Sequence, residues 1–387
     1  MRNTLIWSNG EPGPTLHCKP EVVSSSKPTL RMWRVYHPPT GCRRLLIWLA
    51  GLALLHGCSA PDTGPEQLTD YVQRLSTAAN VPIPPYPRLV APPRIADAAI
   101  RPVVITNLSI DVVDFLSLSP CELQVNIGRR NSLLGRNASP SQQLLLDLEF
   151  LALAPACISA LTDTGDTAMV ASLQALTAQK QGQLQARIFN ALLAASEWRD
   201  FWRLPPSLGD YPATVSGDVV DSLHWLNRHI QHWLAGNYAA GGQELEYHLG
   251  ILRSGDGGYL LLAAALQARE LERASLLLQQ RPRSLCPGGG ITESARIAER
   301  VILKYFLGVV QPWLAKLNLR EQPLMAVVDD IETQLKAKLT AEYSAWQMTR
   351  NALLGEIKRA PLEHVAAIKK AFSACHGMTL GSSGVDS

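Results

Sequence analysis

The sequence predicts a mainly α-helical fold: an irregular multi-helix domain of roughly ten helices with little or no sheet. Apolar residues recur at three- and four-residue spacing through most of the chain, as in Leu68, Tyr71, Val72 and Leu75. Helix-start chemistry recurs with them, most plainly at Ser139-Pro140-Ser141-Gln142. No long run alternates apolar and polar residues at the two-residue period of a strand.

In chain order, residues 1–57 read as a leader. Residues 1–31 fit no signal pattern, whereas Met32 opens a leader of ordinary length, 32–57. Leu45 to Leu55 is an uncharged run behind Arg43 and Arg44. It is too short for a spanning helix of ~20 apolar residues and suits the apolar centre of an export signal. It ends at Leu55-His56-Gly57-Cys58, which resembles the lipobox of bacterial lipoproteins, with His56 replacing the usual small residue. That resemblance implies lipidation of Cys58. Ser59, rather than Asp, follows it and implies sorting to the periplasmic face of the outer membrane.

Residues 58–100 read as a lipid tether (59–65), a short helix from Glu66 to Ala79, and a segment with six prolines between Val81 and Arg94. Proline at that density excludes helix and favours extended polyproline II. The main helical domain is expected over 101–376. Its first stretch, 101–118, is ambiguous: Val103, Val104 and Ile105 suit a short strand, while Ile110, Val113, Phe115 and Leu116 suit a helix. Ser119-Pro120-Cys121-Glu122 reads as a capping box, and Ser139 opens a helix through Leu153. Further helices are expected near 167–202, 218–235, 239–253, 259–279, 292–317, 322–337, 340–357 and 361–375. They are separated by Pro205-Pro206, Gly236, Gly255 to Gly258, Pro287 to Gly290 and Pro361. The Gly/Ser-rich tail, 377–387, reads as disordered.

Charge and cysteine usage narrow the function. Of 36 Lys/Arg and 33 Asp/Glu, the first 57 residues hold seven and two. The remainder, with 29 bases against 31 acids, lacks the basic excess a nucleic-acid binder needs. Cys18 and Cys42 belong to the leader, which leaves Cys121, Cys157, Cys286 and Cys375 in the body. An even number in an oxidising compartment points to disulfides. Of three pairings, Cys121–Cys157 and Cys286–Cys375 keep both partners within one half of the body. No Cys-x-x-Cys spacing points to zinc or redox chemistry.

Few residues carry a chemical signal. Arg129, Arg130, Asn131 and Arg136 crowd the loop 129–137 between two predicted helices, a candidate anion site for phosphate, a lipid headgroup or a glycan carboxylate. The plainer reading is that Arg129 and Arg130 offset a helix dipole. His224, His229 and His232 share one helix, but a metal site there needs a carboxylate from elsewhere. Glu244 and His248 are one turn apart, which suits either acid/base work or a solvated pair. Cys286-Pro287-Gly288-Gly289-Gly290 lacks the Gly-Lys-Ser/Thr of a phosphate loop, and no Gly-x-Ser-x-Gly elbow occurs. No metal or cofactor is expected.

The block Asp114-Phe115-Leu116-Ser117-Leu118-Ser119-Pro120-Cys121-Glu122-Leu123, followed by Arg130-Asn131-Ser132-Leu133-Leu134-Gly135 and Pro140-Ser141-Gln142, resembles a gammaproteobacterial family. That family is designated domain of unknown function 3080, and its members are often labelled lipoproteins. The resemblance implies the same address over the whole mature chain and brings no activity. The expected function is therefore a lipid-anchored, periplasm-facing protein. Its partners would be the membrane, through the anchor, and a protein or another envelope component, with a binding or scaffold role rather than catalysis. The alternative is an envelope hydrolase of glycan or lipid using Arg129, Arg130, Glu244 and His248.

Overall fold

A computed structural model describes residues 63–85, 91–106, 118, 121–213, 217–239, 241–280 and 285–375. The predicted leader, Cys58, Ser119, Pro120 and the tail 377–387 lie outside the described residues, as do residues 107–117. The description below concerns the unit from Ala60 onward.

Among the described residues there are twelve α-helices, ten of them nine residues or longer, and no strand. They are α1 (Gly64–Ala79), α2 (Leu123–Asn131), α3 (Leu133–Arg136), α4 (Pro140–Thr164), α5 (Thr167–Ala191) and α6 (Ser196–Phe201), followed by α7 (Asp218–Leu234), α8 (Gly242–Leu252) and α9 (Gly257–Gln279). Then α10 (Glu293–Val301) runs through a π-helical stretch, Ile302–Val310, into α11 (Gln311–Gln334), and α12 (Ala341–Phe372) closes the chain. The mainly α expectation holds.

Local chemistry sets several of these starts. Thr63 caps α1 in a full capping box with Glu66, so the helix begins at Gly64, inside the stretch read as tether. Ser139 accepts the Gln142 N–H and opens α4, as expected. Thr292 and Thr340 cap α10 and α12 in the same way. The helix α2 starts at Leu123, without a side-chain cap bond at Glu122.

Elsewhere tertiary packing overrides local signals. Pro155, Pro323 and Pro361 all lie inside helices, so the expected ends near Leu153, Leu317 and Ile357 do not occur. At Pro361 the lost hydrogen bond is outweighed because Ile357, Ala360, His364 and Ala367 continue one buried face. In the other direction, the helix expected over 167–202 breaks after Ala191, and α6 turns Trp198 and Phe201 into the core. Val103 forms no strand. Its N–H and C=O are both taken by the side chain of Asn190, at 2.7 and 2.9 Å.

The packing has a simple frame. Gln267 bonds the Glu356 and Ile357 carbonyls, Ser275 bonds His364, and Cys286 bonds Cys375. The partners stay 89 or 90 residues apart along both helices, so α9 and α12 run parallel. The helix α1 lies against α9, α10 and the π-helical stretch. By contrast α4 and α5 form an antiparallel hairpin, since Gln143 and Asp147 both reach Arg187 while Asp147 also meets Lys180. Among the described residues only α4 is long and apolar enough to cross a membrane. It is a core helix, with Leu144, Leu148, Leu151 and Ala154 buried.

Both favoured disulfides are present: Cys121–Cys157 joins the segment before α2 to α4, and Cys286–Cys375 joins the segment before α10 to the end of α12.

Candidate interaction site: the Arg129–Asn137 loop

The helix α2 ends at Asn131, and the chain reverses through Ser132 into the single turn α3. Ser132 holds that reversal from both sides. Its hydroxyl donates to the Arg129 carbonyl at 2.8 Å and accepts the Gly135 N–H at 3.0 Å. The Asn137 side-chain amide donates to the Leu133 carbonyl at 3.0 Å, and Arg130 donates to the Gly135 carbonyl at 3.1 Å. Gly135 is buried against the end of α2, where an added Cβ would lie 2.1 Å from the Arg129 carbonyl oxygen and 2.7 Å from that of Arg130. Only glycine permits this approach. The turn is therefore built, and it presents Leu133 and Leu134 at its tip, 73 % and 86 % exposed.

The four residues named for anion binding divide around this turn. Arg129 on α2 pairs with Glu149 on α4 and lines a shallow groove of about 420 Å³ with Gln142, Tyr238 and Gly242. Arg130 turns inward, donating to Gln143 and lying 4.0 Å from Asp147. Lys180 and Arg187 hold the same carboxylate at 2.5 and 2.7 Å. Burial lowers the Lys180 pKa, Asp147 opposes that shift, and Arg187 and Arg130 add to it. Asn131 and Arg136 are exposed beside the leucines.

The other candidates lie elsewhere. His229 and His248 stack on Trp225, with ring centroids 3.6 and 4.4 Å away. The His229 Nδ1–H donates to the Trp225 carbonyl, and His248 Nδ1 bonds the Ser222 hydroxyl. Glu244 is exposed. Burial lowers the His248 pKa, against the pull of Glu244. Neither Glu244 nor His248 lines the groove beside Arg129, so the set proposed for a hydrolase does not converge there. No group of three or more His, Cys, Asp or Glu among the described residues is placed to hold a metal. The Gly-rich segment forms a single 3-10 turn, Pro287–Gly289, ahead of α10.

One arrangement escaped the sequence because its members are far apart. A cavity of about 510 Å³ between α9 and α12 is lined by Ser275, Ala360, Ala367, Glu272, Arg359 and Lys370. Behind Ser275, His364 Nδ1 lies 3.0 Å from the hydroxyl, and His364 Nε2 lies 2.8 Å from the Tyr71 hydroxyl. The direction of the protons decides what this chain can do. Ser275 donates to the Leu271 carbonyl at 2.8 Å, so it accepts from His364 Nδ1–H. His364 Nε2 then accepts from Tyr71, and every group is satisfied. Reversing the chain would strand the Tyr71 proton, which has no other acceptor among the described residues. A nucleophilic serine must instead give its proton to the imidazole. Burial also drives the His364 pKa down to about 3, well below the range of a working general base. The three side chains are a neutral lock between α1, α9 and α12.

No curated protein and no solved structure matches the chain. The family model described as "Protein of unknown function (DUF3080)" matches residues 68–379, from the first turns of α1 to beyond α12. With four-fifths of its length matched, the chain belongs to that family.

Proposed function

We propose that this protein is an envelope lipoprotein: its leader is removed before Cys58, lipid on Cys58 anchors it to the periplasmic face of the outer membrane, and its helical body acts by binding rather than by catalysis. The observation that carries the binding role is the loop tip. Leu133 and Leu134 stand in solvent on a turn held by Ser132, Gly135, Asn137 and Arg130. A rigid display of adjacent leucines costs solubility unless something covers them. The address is supported by the leader sequence and by the four body cysteines, all of which pair. Such bonds persist in oxidising compartments.

The test uses protein recovered in outer-membrane vesicles from its native host. Mass spectrometry should find a mature N-terminus at lipid-modified Cys58, and an unmodified Cys58 still joined to Gly57 overturns the address. On the same vesicles, backbone amides of 132–137 should exchange more slowly than in the unlipidated chain free in detergent-free buffer. Equal exchange overturns the binding role of the loop.

A further inference from the structure

The geometry points to the occupant of this loop: we propose that Leu133 and Leu134 insert into a phospholipid surface whose anionic headgroups are met by Arg136 beside them. The inference rests on the loop being the binding surface, and it names what is bound.

Three observations carry it. First, the apolar tip is two residues wide and convex, flanked by Asn131, Ser132 and Asn137. Such a tip fits a deformable bilayer interface better than a preformed protein pocket, which would need a matching cavity. Second, a cation stands beside the tip. Arg136 stands two residues beyond Leu134 and is exposed, and Arg129 at the end of α2 keeps 53 % of its side-chain exposure beside Glu149. Arg129 is shared with Glu149, so Arg136 is the cation that meets a headgroup phosphate as the leucines enter the apolar layer, and one such cation strengthens binding to an anionic surface about fivefold. Third, the chain that precedes the body is short. Five residues, 59–63, separate Cys58 from the start of α1 and span at most about 18 Å when extended. A body tethered that closely meets the bilayer at high effective concentration, so a weak second contact is enough to fix its orientation. The loop thus supplies orientation, and the lipidated cysteine supplies retention.

The experiment is hydrogen exchange on the full chain bound to two sets of vesicles, one of phosphatidylcholine alone and one containing phosphatidylglycerol. Slowed exchange of the 132–137 amides is expected on the anionic vesicles, with little slowing on the neutral ones. The slowing should fall when salt is raised, because Arg136 is exposed to screening. L133S/L134S should lose it, since each buried leucine contributes about tenfold or more to partitioning. R136E should weaken it on anionic vesicles and leave any residual contact with neutral vesicles unchanged. Protection on neither vesicle overturns the inference, as does protection that survives L133S/L134S. Protection in native outer-membrane vesicles but on neither synthetic set overturns it in favour of a protein or glycan partner and leaves the binding role of the loop standing. Loss of protection in all preparations removes both.

Discussion

The Ser275–His364–Tyr71 lock and the Arg129–Asn137 loop use the same materials to opposite ends. Each is a short relay of hydroxyls, a ring or guanidinium nitrogen, and backbone carbonyls. In the lock, every donor points at an acceptor within the core, and the members are contributed by α1, α9 and α12. The result is a neutral joint with nothing left over for a ligand. In the loop, the hydrogen bonds satisfy the turn's own backbone, and the side chains they release face outward. The difference teaches where function belongs in this fold: a satisfied network fixes helices, and a turn that satisfies its own backbone can afford to display leucines.

The largest expected effect breaks the lock by protonation. His364 has its folded pKa lowered to about 3, against about 6.5 in an unfolded chain. The unfolded state therefore binds more protons between those values, and stability falls as pH drops from about 6.5 towards 3. A shift of this size corresponds to at most about 5 kcal/mol. Carboxylates titrate in the same window, so the comparison is with His364→Gln. The unfolding free energy of the native protein should lose several kcal/mol more than that of the variant between pH 7 and pH 4. Parallel curves would mean that burial of the ring does not hold it neutral.

A smaller effect tests whether the loop is as firmly built as the lock. In Gly135→Ala the new methyl meets two α2 carbonyl oxygens at 2.1 and 2.7 Å, far inside contact distance, and those atoms are backbone. The turn must open, at a cost of about 1–3 kcal/mol by the usual scale for overpacking. Chemical denaturation should show that loss, and exchange at 132–137 should quicken while the α9 amides stay protected. Wild-type stability would show that the turn is loose.

What the sequence disclosed follows the same division between local and distant causes. The start of α4 was legible because Ser139 and Pro140 act within one turn. The two disulfides were legible once four cysteines were set in an oxidising compartment. The course of α12 through Pro361 was not, because the face that overrides the proline is completed by α9, some 90 residues earlier. The lock was out of reach for the same reason: Tyr71 and His364 are 293 residues apart, and neither has a neighbour in sequence that marks it. The loop was half legible. Its arginines drew attention as charges, yet Arg129 and Arg130 are engaged by Glu149, Gln143 and the Gly135 carbonyl, while the informative residues are the leucines between Arg130 and Arg136. Leu133 and Leu134 look like ordinary core residues in a string of letters. Only their exposure in the folded chain shows that they point away from the core.

The smallest expected effect sharpens the comparison most. If the leucines contribute nothing to the fold, L133S/L134S should unfold within about 0.5 kcal/mol of the native protein, as surface substitutions do. Two buried leucines would instead cost several kcal/mol together. A near-zero change in thermal or denaturant unfolding, set beside the multi-kcal loss from the lock, would separate residues kept for stability from residues kept for contact. A loss above 2 kcal/mol would place the leucines inside the body in solution, and the binding role of the loop would fall with them.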